Sequence, residues 1–134
     1  MLLHQANGTI AFDTLQTSDA VNTGTSKTLD TSYLYNGSSK AWAHTNGSSG
    51  TPSLEDSFNM SSITDLATGR YQHFFTNTMV NDNYAVPTSV NSSYLSIVEG
   101  YATDSFHFRI SSTMPSMTAA DRDHAVSATF GDLA

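Results

Sequence analysis

The chain has 134 residues, a formal charge of -7 and no cysteine, which points to one domain and excludes disulfide, thiolate-zinc and iron–sulfur frameworks. Only 13% of its residues are charged, against an average of roughly 25%, and Glu, Lys, Gln and Arg together supply 10 side chains, too few to surface a helical bundle. Ser, Thr and Asn fill 47 positions, while 14 aromatics and scattered Val and Ile set the chain apart from the sequences that stay disordered.

The start, Met1-Leu2-Leu3-His4-Gln5, has no basic segment and no apolar run of seven, so no secretory signal peptide is expected. No stretch approaches the ~20 apolar residues that span a bilayer. A first strand is expected near Thr9–Thr14. Residues 13–32 lack aromatics and read as a low-complexity, extended arm that needs a partner chain or attachment site to become ordered. Beyond it, period-two alternation recurs, the signature of half-buried strands. It predicts strands over Lys40–Thr45, Leu54–Asp65, Arg70–Asn77, Tyr84–Val86, Ser93–Tyr101, Ser105–Ser111 and His124–Gly131. Turn signals separate them: Asn36-Gly37, Asn46-Gly47, Ala67-Thr68-Gly69 and Glu99-Gly100. Pro87 should end its strand, because proline cannot donate to a ladder. The fold expected is all-β, a jelly-roll-like antiparallel β-sandwich over 33–134 behind an N-terminal arm at 1–32.

The chemistry-bearing residues form no familiar constellation. Gly-x-Ser-x-Gly is absent, so no hydrolase elbow is expected. His4, His44, His73, His107 and His124 show no His-x-His or His-x-x-x-His spacing, and a metal site would have to assemble from separate strands or separate chains. Asp121-Arg122-Asp123 has the Asp-x-Asp of a calcium loop without its glycine or distal glutamate. Glu55 and Asp56 are adjacent on a strand and should point to opposite faces, which argues against the paired carboxylates of a glycan-cleaving depolymerase. With 12 acidic and 5 basic residues and no basic patch, neither nucleic acid nor membrane insertion is expected. Catalytic, cofactor and metal residues are therefore expected to be absent.

Recognition falls to the aromatics. Trp42, Phe58, Tyr71, Phe75, Phe106, Phe108 and Phe130 occupy the inferred inward faces and are assigned to the core. Phe74 breaks the alternation beside Phe75, and Tyr94 and Tyr101 bracket one strand, so these three are the expected surface-recognition or subunit contacts.

The order of several segments carries a resemblance. Lys40-Ala41-Trp42-Ala43, Leu54-Glu55-Asp56-Ser57-Phe58-Asn59, Gly69-Arg70-Tyr71, Asn83-Tyr84-Ala85-Val86 and Phe130-Gly131-Asp132-Leu133-Ala134 resemble a domain of tail-fibre-like virion proteins of marine phages and cyanophages. Gly8-Thr9-Ile10-Ala11-Phe12 is similar to the lead-in segments of such fibres. The resemblance implies a virion protein with no enzymatic activity: a short tail fibre or tail appendage, homotrimeric, joined to other virion proteins through its N-terminal arm and meeting a host-surface glycan. The alternative expectation is a capsid decoration or head-fibre protein. Host attachment through three weak sites on one tip would gain by avidity. The His73-Phe74 pair and His44 depart from the pattern, and no ligand-binding residue carries over.

Overall fold

The computed structural model describes residues 14–16, 28–48, 50–112 and 117–134. The chain divides into two compact units between Ser38 and Ser39. In the first, β1 (Thr14–Gln16) pairs antiparallel with β2 (Thr28–Asp30), and α1 (Thr31–Gly37) follows directly. Asp30 caps the helix: its side chain accepts the Ser32 amide at 2.8 Å, satisfying one of the N–H groups that a helix start leaves open. These two strands and the first two residues of the helix are what is described of the segment expected as an extended arm. The rest of that segment, including all but the last residue of the strand expected at Thr9–Thr14, lies outside the described residues.

The second unit is the β-sandwich expected from the alternation. Its strands are β3 (Ala41–Asn46), β4 (Ser53–Phe58), β5 (Met60–Ala67), β6 (Arg70–Phe75), β7 (Thr88–Val90), β8 (Tyr94–Tyr101), β9 (Ser105–Ser112) and β10 (Ala125–Thr129). They form two antiparallel sheets, ordered β4-β3-β10-β7 and β5-β6-β9-β8.

The inner faces of the two sheets are unequal. The two central strands of the first contribute small side chains, Ala41, Ala43 and Thr45 from β3 and Ala125, Ser127 and Thr129 from β10, all buried, with Val90 of β7 packed at the edge. The second contributes large ones: Tyr71, His73 and Phe75 from β6, with Phe106, Phe108 and Ile110 from β9, all at 5% exposure or less. Sheets pack about 10 Å apart, and that gap is filled at native density when large residues oppose small ones. The rings meet edge-on or tilted, with centroids 5.1 Å apart for His73–Phe106 and 5.8 Å for Tyr71–Phe108, the arrangements that aromatic quadrupoles favour. Tyr84 closes the end of the core. Its hydroxyl lies 2.7 Å from the Ser105 carbonyl and 2.9 Å from that of Ala102, so its polar tip is satisfied where its ring is buried.

Two expected strands take a different form. Leu54–Asp65 is not one strand but β4 and β5, which belong to different sheets, and the break is at Asn59, where φ is 55°. Asparagine is one of the few residues that enters the left-handed region at modest cost, and here the side chain is also used. Its Nδ2 donates to the Lys40 and Asn77 carbonyls, each at 3.1 Å, and its Oδ1 accepts the Asn77 amide at 2.7 Å. One residue thus turns the chain from the first sheet to the second. Asn59→Gly keeps the backbone geometry but loses these bonds, for an expected loss of about 1–2 kcal/mol. Asn59→Ala should lose about 1 kcal/mol more, because it adds the left-handed strain. Urea unfolding of the two variants separates the contributions, and equal losses would show that the backbone angle carries no cost.

Tyr84–Val86 is likewise not a strand. Only Ala85 bridges, exchanging hydrogen bonds of 2.8 and 2.9 Å with Phe130, and the ladder resumes beyond Pro87 as β7. Proline lacks the donor for continuous pairing, but its carbonyl still accepts the Ala128 amide at 3.1 Å, so the interruption is confined to Val86 and Pro87.

Candidate functional site

Because β3 turns Ala41, Ala43 and Thr45 inward, it turns Trp42, His44 and Asn46 outward. Trp42 is 38% exposed and Phe58, its direct cross-strand partner on β4, is 54% exposed. Both were expected in the core, and both stand on the outer face. For Phe58 the reason is a β-bulge. The register of β3 with β4 slips between His44 and Thr45, leaving Glu55 as the extra residue. Leu54 pairs with Thr45, and past the bulge Asp56 pairs with His44 and Phe58 with Trp42. A single inserted residue reverses the parity of the rest of the strand. An alternation read straight through Leu54, Asp56 and Phe58 therefore assigns Phe58 to the wrong face.

The bulge also overturns the expectation that Glu55 and Asp56 point apart. Asp56 stands opposite His44, on the same face. Glu55 reaches that side as well: its Oε2 lies 3.5 Å from His44 Nδ1 and its Oε1 accepts from Asn46 Nδ2 at 2.9 Å. His124, just before β10, brings its ring to 4.1 Å from that of His44. Strand pairing thus joins two histidines 80 residues apart in sequence, as no short-range spacing could show. Among the described residues, however, no three histidine or carboxylate side chains come together as a set of metal ligands.

Beside Trp42 the outer face is hollowed into a groove of about 440 Å³ that runs across β3, β10 and β7. Trp42 and Pro87 are among its lining residues, with Val126, Ala128, His44 and Ser89. A volume of this size lies in the range of small-ligand sites, whose linings combine apolar surface with a few polar groups. Its chemistry is that of a platform: an indole ring, aliphatic carbons, an imidazole and a hydroxyl, with carboxylates on the neighbouring strand.

The three residues expected to make contacts are not part of this groove, and they do not form one site among themselves. Phe74 is on the outer side of β6, half-buried between Ser62 and Ser105. Tyr94 and Tyr101 start and end β8, roughly 23 Å apart at the usual rise per residue. The Arg122 guanidinium carbon sits 3.5 Å from the centroid of the Tyr94 ring, a cation–π contact. Tyr101, 45% exposed, packs its ring edge-on to that of core Tyr84 at 5.3 Å. The outer face that carries Phe74 holds its own bulge, at Glu99. Arg70 and Arg109 stand directly opposite each other there, a repulsive pair, and Glu99 neutralises both, at 2.7 Å from Arg70 Nη2 and 3.5 Å from Arg109 Nε. The chain has two glutamates, and each lies at a bulge.

Sequence reasoning missed Trp42 and Phe58 as surface residues, although one signal was present. The small residues Ala41, Ala43 and Thr45 flank Trp42 and His44 at alternate positions, and a run of small residues at period two can itself be the buried face when the opposite sheet is aromatic. Comparison of the chain with protein-family models, with curated proteins and with solved structures gives no match.

Proposed function

We propose that the chain is a non-enzymatic bacteriophage virion protein, a short tail fibre or tail appendage, whose β-sandwich holds the Trp42 face against a glycan of the host surface. The resemblance of the ordered segments to those of tail-fibre-like proteins is what supports the virion reading. The observation that carries the binding role is the groove of about 440 Å³ beside an outward-facing Trp42. Tryptophan on a water-facing sheet leaves a costly apolar ring exposed, and a sugar ring presents the flat C–H face that covers it while its hydroxyls reach groups such as His44 and Ser89. In this reading residues 1–32 attach the chain to other virion proteins and trimerise it, and three such faces on one tip bind together with gain by avidity.

The reading has a direct test. Purified protein should bind host cells, and soluble polysaccharide extracted from those cells should compete. Trp42→Ala should weaken cell binding by about tenfold or more, while urea unfolding changes by no more than about 1 kcal/mol, as befits a partly exposed residue. Antibody labelling of intact virions should place the chain on the tail. Unaltered cell binding by Trp42→Ala would remove the face from attachment, and label on the capsid would favour a head decoration instead.

A further inference from the structure

The charge around the Trp42 groove narrows what it can hold, and this step rests on the glycan-binding reading of the same face. None of the four strands of the β4-β3-β10-β7 sheet contains a lysine or arginine. Lys40, just before β3, is buried. Arg70 and Arg109 are turned to Glu99 on the other sheet, and Arg122 lies over Tyr94. The fixed charges on the outer face of the β3–β4 pair are the carboxylates of Glu55 and Asp56, in a chain of formal charge -7. Glu55 is held by Asn46 and His44. Asp56 is exposed, and its one hydrogen bond among the described residues, from the Ser57 amide to Oδ1 at 2.8 Å, leaves Oδ2 for a ligand.

A field of this sign repels uronates, sialates and phosphorylated polymers and draws in cations. An ammonium group is attracted twice, by the Asp56 carboxylate and by the indole face, the best of the aromatic faces for a cation. We propose that the sugar taken by this groove carries a free amine: its C–H face lies on Trp42 and its ammonium group turns toward Asp56.

The test uses the one tryptophan of the chain as its own reporter, since all indole emission comes from Trp42. The full-length protein is titrated, below the pKa of the sugar amine, with a fully deacetylated glucosamine tetramer, with its N-acetylated counterpart and with a galacturonic acid tetramer. The expected result is that the deacetylated tetramer binds about tenfold tighter than the N-acetylated one, the margin of one charge-assisted hydrogen bond, and that added salt reduces this preference. Asp56→Asn should abolish the difference while leaving binding of the N-acetylated tetramer unchanged. Equal binding of the two glucosamine tetramers, tighter binding of the uronate, or a preference that survives Asp56→Asn would overturn the amine assignment and leave the glycan reading standing. If none of the three alters Trp42 emission or gives heat in calorimetry, and extracted host polysaccharide does not either, both fall.

Discussion

Gly69→Ala should cost about 3 kcal/mol and lower the Tm of the sandwich by more than about 10 °C. Gly69 closes the β5–β6 hairpin at φ 67° and sits beneath backbone from two other segments. A Cβ there would lie 2.6 Å from the Ile110 carbonyl oxygen and 2.8 Å from both the nitrogen and the oxygen of Ala120. These are backbone atoms and cannot swing aside. The Gly69 carbonyl accepts the Ile110 amide at 2.7 Å, and its own amide donates to Asp121 Oδ1 at 2.7 Å. Asp121 also accepts from the Tyr71 hydroxyl, so any shift of the turn reaches a buried ring. Gly50 is the control. Its φ is 79°, yet among the described residues nothing beyond its chain neighbours lies within 4 Å of the position a Cβ would take. Gly50→Ala should therefore pay only the left-handed strain, about 1 kcal/mol. Similar urea midpoints for the two variants would refute the close-packing account of Gly69.

Stability should also fall steeply in mild acid because of His73. The imidazole is fully buried between the sheets, edge-on to Phe106 and Phe108. Its Nε2 lies 2.9 Å from Thr45 Oγ1, and its Nδ1 has no hydrogen-bond partner among the described residues. Burial away from water penalises the charged ring and pushes its pKa down to about 4, from 6.5. The unfolded chain takes up a proton near pH 6.5 and the folded chain does not until about pH 4. The stabilisation is thus complete above pH 6.5 and is lost progressively as pH falls to about 4, roughly 3 kcal/mol in all. Urea unfolding between pH 7.5 and 4 measures this. A Thr45→Val, His73→Phe double variant removes the hydrogen-bonding pair together, so no partner is stranded. Its stability should decline less across that window, the difference from the unmodified chain being the contribution of His73. Parallel profiles would show that His73 titrates alike in both states.

Much of the sandwich was legible because the pleat has a period of two. β6, β8, β9 and β10 lie in the segments that alternation marked, and Tyr71, Phe75, Phe106 and Phe108 are buried as their positions required, although β10 buries Ala125, Ser127 and Thr129 rather than the alternate set that ends at Phe130. The alternation failed where a single residue changed the geometry. Asn59 ends one sheet and starts the other while sitting in an unbroken apolar–polar rhythm, and the Glu55 bulge reverses the parity that Phe58 would otherwise keep. Bulges and left-handed corners leave little trace in composition. They exist because a partner strand and its hydrogen bonds make them favourable.

The candidate site was hidden for the same reason. Trp42 was assigned to the core because a large apolar ring in a strand usually belongs there. It is outside because the second sheet already brings three phenylalanines, a tyrosine and a histidine to the interface, and the central strands β3 and β10 meet them with alanine, serine and threonine. Which of two alternating sets faces inward is a property of the pair of sheets, not of either strand.

From its amino acids alone the chain is an all-β molecule with hydroxyl-rich surfaces, tight turns, little charge and no cysteine chemistry, since these follow from side-chain type and local spacing. Tertiary structure decided the rest. It set the unequal volumes of the two inner faces, the isolation of His73, the bulge that puts Glu55 and Asp56 on one side, and the groove beside Trp42. Each depends on what lies across a sheet or between sheets, from segments far apart in the chain. Local sequence carries periodicity, but volume complementarity and register exist only once the strands have met.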